Sequence, residues 1–446
     1  MKRISISLIS LCVLVSPVIS AESWKELREK AVQQMDAGAN TEAESGLLAA
    51  WKLVSPDAGD PQGRVVVAED LAYFYLEQGK AEQSLTFCHK AIDASRRANG
   101  DMSPRNADLM NSTAVVLRGM GKLNEAEQMH LAALKLLADG GNQNHFSAAQ
   151  IYYALGILYA YTGRFSDSET SLMKAIRIAT PAAKKYPEQT ARMMDGLARL
   201  YTNWDRLNEA GQYMRSATRI VNRMTDPDPK LRIDLLDSQG ALLFQQQKFN
   251  DAEKAWLQAR EVMSTCPACE SHGYAVLSHL GELYIRLEQY DKAESMMRET
   301  IAVADRVPAI SSVDRVILRG ELGLVLTRKK QYDKGAPMLA EAVAQLEKAG
   351  RPVELALLAG YYGDCFADQG YWSQAAEQYE RSMQLREKVL GNHPLTVTAM
   401  MSCATAYKKL HRKSEAKKLM ARAENMSHQC SSCSTMAQTV DVRAFH

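Results

Sequence analysis

The chain has little that marks an enzyme, a membrane span or a nucleic-acid binder. Its 446 residues contain no glycine-rich phosphate loop, no His-Glu-x-x-His and no nucleophile elbow. No catalytic residue, cofactor or metal is therefore assigned, and the expectation is a protein that is not an enzyme. Charge of one sign is also missing. Lys and Arg number 54 against 52 Asp and Glu, and the resulting +2 offers no field for nucleic acid or an anionic membrane. Aromatics make up only 7%, and no strand-like alternation runs along the chain. Past the first twenty residues no stretch approaches the roughly 20 apolar residues that a membrane-spanning helix needs.

The N-terminus stands apart. Lys2 and Arg3 precede an apolar run from Ile4 to Val15, and Ser20 or Ala21 precedes the acidic Glu22. That layout predicts a cleavable secretory signal over residues 1–21. Leu11, rather than a small residue, precedes Cys12, which argues against lipidation. The expected product is exported, periplasmic or extracellular, with no membrane insertion after cleavage. It keeps seven of the eight cysteines: Cys88, Cys266, Cys269, Cys365, Cys403, Cys430 and Cys433.

What the chain does have is a repeat. Ala31, Ala72, Ala114, Gly156, Ala198, Gly240, Gly281, Gly323, Gly363 and Ala404 follow one another at intervals of 40 to 42 residues. Twelve residues after each stands a second small residue, from Ala43 and Ser84 to Ala416, and seven later a third, from Ala50 and Ala91 to Ala423. All thirty positions are Ala, Gly, Ser or Thr. A period of this length predicts a solenoid of stacked supersecondary units.

The fourth copy shows what each unit is. Ile151, Leu155, Leu158, Tyr159 and Tyr161 follow helical spacing, and Gly163 closes that helix. Ser166 is placed to cap a second helix, which carries Leu172, Ala175 and Ile176 on one face. Each unit is thus a helical hairpin, with helix A then helix B. Small residues allow the two helices to approach to the close end of the usual 8–10 Å. Pro61, Pro104, Pro187, Pro229, Pro352 and Pro394 fall where the first turn of helix A is expected, where a missing N–H costs nothing. The array should cover residues 22–427, with an aperiodic Cys-containing tail over 428–446 for which disorder is one reading.

The pattern small–(3)–Tyr–(4)–Gly–(5)–Ala–(7)–Ala resembles the tetratricopeptide repeat, best in LGILYAYTGRFSDSE, LAYFYLEQGKAEQSL and YGDCFADQGYWSQAAEQYERS. The usual repeat has 34 residues. This longer form, about 42, is similar to that of kinesin light chain and its exported bacterial relatives, most closely in REKVLGNHPLTVTAMMSCATAYKKLHRKSEAKKLMARA. The resemblance implies an all-α, right-handed superhelical solenoid of about ten hairpins, with helix A lining the concave side. The loop glycine of the family becomes Asp205, Gln247, Glu288, Lys330 and His411 in half the copies, where a longer capped turn is expected. The family's groove asparagine is matched only by Asn111.

On this register, the residues facing the groove are Asn111 and Arg118, Tyr153 and Tyr161, and then Arg192, Asp195, Arg199 and Asn203. Asp237, Gln245, Ser278, Glu282, Arg286 and Arg328 continue the row. Arg would hold carboxylates, Asn and Gln a peptide backbone, and Tyr a flat contact. The plain alternative is a solvated helix face. The expected function is an exported scaffold binding a protein or peptide partner in this groove.

Cys266 and Cys269 form CPAC between repeats six and seven, and Cys430 and Cys433 form CSSC in the tail. Each pair could close a local disulfide, or the two could join in a metal site, although about four repeats separate them. Thioredoxin-like chemistry would want a strand before the motif. A redox or metal-handling protein on the same scaffold is therefore the alternative function. Cys88, Cys365, Cys403 and a satisfied His130 are expected in the core.

Overall fold

The computed structural model describes residues 23–55, 59–266, 269–307 and 310–429. The expected signal segment, the Cys430–Cys433 motif and most of the tail lie outside the described residues.

Ten hairpins follow in order. The first joins α1 (Trp24–Asp36) to α2 (Asn40–Leu53), and the second α3 (Pro61–Glu77) to α4 (Ala81–Asn99). Next come α5 (Pro104–Gly119) with α6 (Leu123–Asp139), and α7 (Phe146–Tyr161) with α8 (Phe165–Ala179). The middle of the array holds α9 (Pro187–Asn203), α10 (Leu207–Val221), α11 (Pro229–Gln245) and α12 (Phe249–Ser264). After them stand α13 (Glu270–Arg286), α14 (Tyr290–Arg306), α15 (Ser312–Arg328) and α16 (Tyr332–Lys348). The last two hairpins are α17 (Pro352–Asp368) with α18 (Trp372–Leu390), and α19 (Pro394–Lys409) with α20 (Lys413–Gln429). No strand occurs among the described residues. All six marker prolines open an A helix at its first position.

The thirty small residues are all buried. Their size is matched to their neighbours. A Cβ on Gly156 would come within 2.6 Å of Leu172, one on Gly281 within 2.4 Å of Met297 and one on Gly363 within 2.6 Å of Tyr379. In these repeats helix A carries glycine where helix B places a bulky side chain at the crossing. Where the second small residue is serine, it also bonds across the hairpin. Ser84 Oγ donates to the Ala72 carbonyl and Ser168 Oγ to the Gly156 carbonyl, each at 2.7 Å.

In the five hairpins that lack the loop glycine, the turn differs from expectation. Asp205, Gln247, Glu288, Lys330 and His411 take φ between 56° and 62°, the same left-handed corner that Gly38, Gly79, Gly121, Gly163 and Gly370 occupy elsewhere. The turn is not lengthened; the backbone geometry is kept and a side chain is forced into it. Nor does Ser166 cap α8. That helix begins one residue earlier, at Phe165, behind Arg164, which makes no side-chain cap. The tight turn supplies its own bond instead, from the Arg164 N–H to the Tyr159 carbonyl at 2.8 Å.

Neighbouring repeats are latched by a recurring trio. The Tyr hydroxyl of helix A donates to a Glu on the preceding helix B: Tyr75 to Glu44, Tyr159 to Glu127, Tyr201 to Glu169 and Tyr284 to Glu253, at 2.7–3.0 Å. A cation from the turn joins the same Glu, as with Arg164 on Glu127 and Arg206 on Glu169. These two guanidinium groups also lie over the Tyr159 and Tyr201 rings, at 4.1 and 4.2 Å. These tyrosines thus also fix the angle between repeats.

Inner helices of adjacent repeats pack on one another, as α5 does on α7, α9 on α11, α11 on α13 and α15 on α17. The B helices make no comparable contact with each other among the described residues. The A helices therefore line the concave side.

Candidate partner-binding groove

Two stretches of the concave face differ in character. In repeats five to seven the face is a dense charged floor. Arg192 bridges Asp228 at 2.8 Å and Asp234 at 2.7 Å, so its guanidinium is already engaged. Arg199 lies in the field of Asp195, Asp237, Asp234 and Tyr153. Asp237 is buried and accepts from Trp256 Nε1 at 2.9 Å, with His279 Nδ1 at 2.7 Å. Burial pushes its carboxyl up, but the His279 charge and hydrogen bond outweigh this and hold it below the usual range. Asp195 goes the other way. Its Oδ1 is buried with no hydrogen-bond partner, and burial raises it to about 7. Asn203, Gln245 and Glu282 line a small hollow beside Asp237 and His279, and Asn203 Nδ2 finds no partner. Ser278 is buried in the same floor.

Of the predicted residues of repeats three and four, Tyr153 lies against this floor. Tyr153 packs its ring edge against Gly196, and burial lifts its hydroxyl to about 12. Arg118 senses Tyr153 and Tyr161. Asn111 belongs instead to a separate hollow between α3 and α5, where its buried Oδ1 has no partner.

Towards the C-terminal end the face opens into a cavity of about 640 Å³. Its walls come from α13, α15, α17, the end of α18 and the start of α19, and Tyr161 of repeat four also lines it. The superhelix therefore brings repeat four across the groove from repeat nine, where Arg351 stands. Ile285, Ile317, Leu324, Leu357, Leu385 and Leu395 supply apolar wall, and charged groups are set between them. Arg328 is tied to Asp364 and Asp368, and Arg351 to Glu354. Arg286 is exposed and makes no ion pair among the described residues. Arg386 bonds the Leu395 carbonyl at 2.8 Å but no carboxylate, and burial pushes it below the usual guanidinium value.

Of the predicted set, Tyr161, Glu282, Arg286 and Arg328 reach this cavity. Sequence reasoning missed its apolar wall and Arg386. The same register that selected Arg286 selects Ile317, Leu324 and Leu357, but in a sequence an apolar groove residue cannot be told from core. Arg386 comes from the end of a B helix, outside that register.

Cys266 and Cys269 are bonded to each other, and Cys88, Cys365 and Cys403 are free and buried. His130 is buried as expected, but its Nδ1 lacks a partner, so it is not the satisfied core histidine expected from sequence. No group of three or more His, Cys, Asp or Glu among the described residues is placed to hold a metal ion. Among the same residues no helix is long and apolar enough to cross a membrane.

An all-α array of latched hairpins with a lined concave face defines a helical-repeat solenoid. Models of the tetratricopeptide repeat match residues 64–139, 149–180, 276–309 and 353–427. The chain is a tetratricopeptide-repeat protein. Among solved structures it is similar to a Rap protein complexed with competence and sporulation factor, at 13% identity and a TM-score of 0.57, over 82% of this chain and 98% of that one. It is also similar to a signal-transduction ATPase with a tetratricopeptide-repeat sensor from Pyrococcus horikoshii, at 14% and 0.52. There the match covers 79% of this chain and 53% of the other, so this chain spans about half that relative's length. A putative kinesin light chain of Podosopora anserina matches 46% of this chain and 98% of its own, at 17% and 0.38. At identities this low, the first two matches show a shared fold alone. No curated protein matches the chain by sequence.

Proposed function

We propose that the chain is an interaction scaffold that holds a segment of a partner protein along its concave face, chiefly in the cavity of repeats seven to ten. The observation that carries this reading is the cavity itself. It is within the usual size range of binding sites, and its apolar wall is set with Arg286 and Arg386, which pair with no carboxylate among the described residues. A segment with apolar side chains and a nearby carboxylate complements it. The similar Rap protein, whose structure holds a bound factor, supports a binding role for this fold. The rigid hairpin stack would present the surface with little ordering cost on association.

Charge and polarity reversal test the reading. Ile317→Glu with Leu357→Glu should abolish capture of the native partner, and Arg386→Glu should weaken it, whereas Met173→Glu on a B helix should leave it intact. Equal capture by all variants would remove the cavity from consideration. Export is proposed with it, supported by the basic, apolar and small-residue order of residues 2–21. An N-terminal sequence of the purified native protein starting near Ala21 or Glu22 is expected. A sequence retaining Lys2 and Arg3 would refute export by this route.

A further inference from the structure

The connector between repeats six and seven does more than join them. Cys269 is fully buried and stands at the N-cap of α13, while its partner Cys266 is only half-buried. The bond spans three residues, so it closes a very small loop and staples no distant parts of the chain. Its neighbours explain what it does hold. Gly273, in the first turn of α13, lies so close to the end of α12 that a Cβ there would collide with Met263 Sδ. The start of α13 is thus pressed onto the last turn of α12. The same helix carries Ser278 and His279 of the charged floor and Glu282 and Arg286 of the cavity.

We propose that Cys266–Cys269 is a thiol–disulfide exchange site whose redox state sets the position of α13, and with it the middle of the groove. The reductant is a dithiol. Its thiolate attacks Sγ of Cys266, the accessible sulfur, and the S–S bond breaks with the electron pair leaving on Cys269. The second thiol of the reductant, losing its proton, then attacks its own sulfur in the mixed disulfide and releases Cys266. Two electrons and two protons have then passed to the protein, and the reductant departs as a disulfide. Access sets this direction, since Cys266 is half-buried whereas Cys269 lies fully buried in the apolar cluster around Val276 and Leu280. This is a clip on a scaffold rather than a thioredoxin-type site, since no strand precedes it among the described residues.

The experiment needs no partner, so its failure is distinct from failure of the groove reading. In the full chain, Cys269→Ser exposed to oxidised glutathione should form a mixed disulfide at Cys266, while in Cys266→Ser the buried Cys269 should react about tenfold or more slowly. Equal rates would overturn the assigned direction of attack. In the unaltered chain, reduction by dithiothreitol should speed amide exchange in α13 about tenfold while α3 is unchanged, and reoxidation should restore it. Unchanged α13 exchange on confirmed reduction would overturn the proposal, whether or not the variants fold.

Discussion

Gly240 offers a change whose sign separates the packing account from ordinary helix propensity. A methyl group there would lie 2.5 Å from both Cε2 and Nε1 of Trp256, far inside the roughly 3.5–4.0 Å of favourable contact. Trp256 is only 2% exposed, so the ring can shift little without displacing its neighbours. Overpacking of this kind costs about 1–3 kcal/mol. If the ring shifts, it also weakens the bond from Nε1 to the Asp237 carboxylate, and a hydrogen bond to a charged group contributes about 1.5–3 kcal/mol. Against these stands a helix-propensity gain of about 1 kcal/mol for alanine over glycine. With that bond lost, Gly240→Ala should therefore destabilise by about 1.5–5 kcal/mol, read as a lower urea midpoint by circular dichroism. Gly119 is the internal control. It is exposed at the end of α5 with nothing within 4 Å of a Cβ, and Gly119→Ala should raise the midpoint. If both changes stabilise, the small residues do not set the helix spacing and the reasoning fails.

The left-handed corners predict that Asp205→Gly or Lys330→Gly stabilises by about 1 kcal/mol, whereas Gly163→Ala destabilises, measured by thermal melting. For Asp195, whose folded value is raised to about 7, the stabilising protonated form is kept at low pH and lost as pH rises through that value. Stability should thus fall between about pH 4 and pH 7 and level off above, which a urea titration at each pH would show and Asp195→Asn should flatten; a slope unchanged in Asp195→Asn would assign it to another group. His130 is held at about 4 by burial, so its contribution is present above its unfolded value and lost as pH falls towards 4. Methionine fills the same position in repeats five, seven and ten, so His130→Met should gain about 1–3 kcal/mol by removing an unpaired buried nitrogen, most visibly below pH 6.

The architecture was legible because it rests on the residues that vary least among repeats. Small positions tolerate only small residues, and six prolines mark helix starts, so spacing alone gave the hairpins. Turn chemistry was less legible. A left-handed φ is usually announced by glycine, and five copies instead pay the strain with Asp, Gln, Glu, Lys and His. The groove was half legible. Polar residues on the A helices were recognisable by register, but whether they bind a partner or each other was not. Arg192 is the case in point, since its two aspartates arrive from the next repeat. The apolar cavity wall was hidden for the opposite reason. Leu357 and Ile317 carry no mark distinguishing a lined cavity from a filled core until the superhelix curves.

The central claim is that the partner lies in that cavity. Site-specific photocrosslinking tests it most directly, with a benzophenone amino acid placed at Leu357 and, separately, at Met173 on the outer face. The account predicts one defined adduct with a partner segment from the Leu357 probe and none from Met173. An adduct from Met173 alone would contradict it.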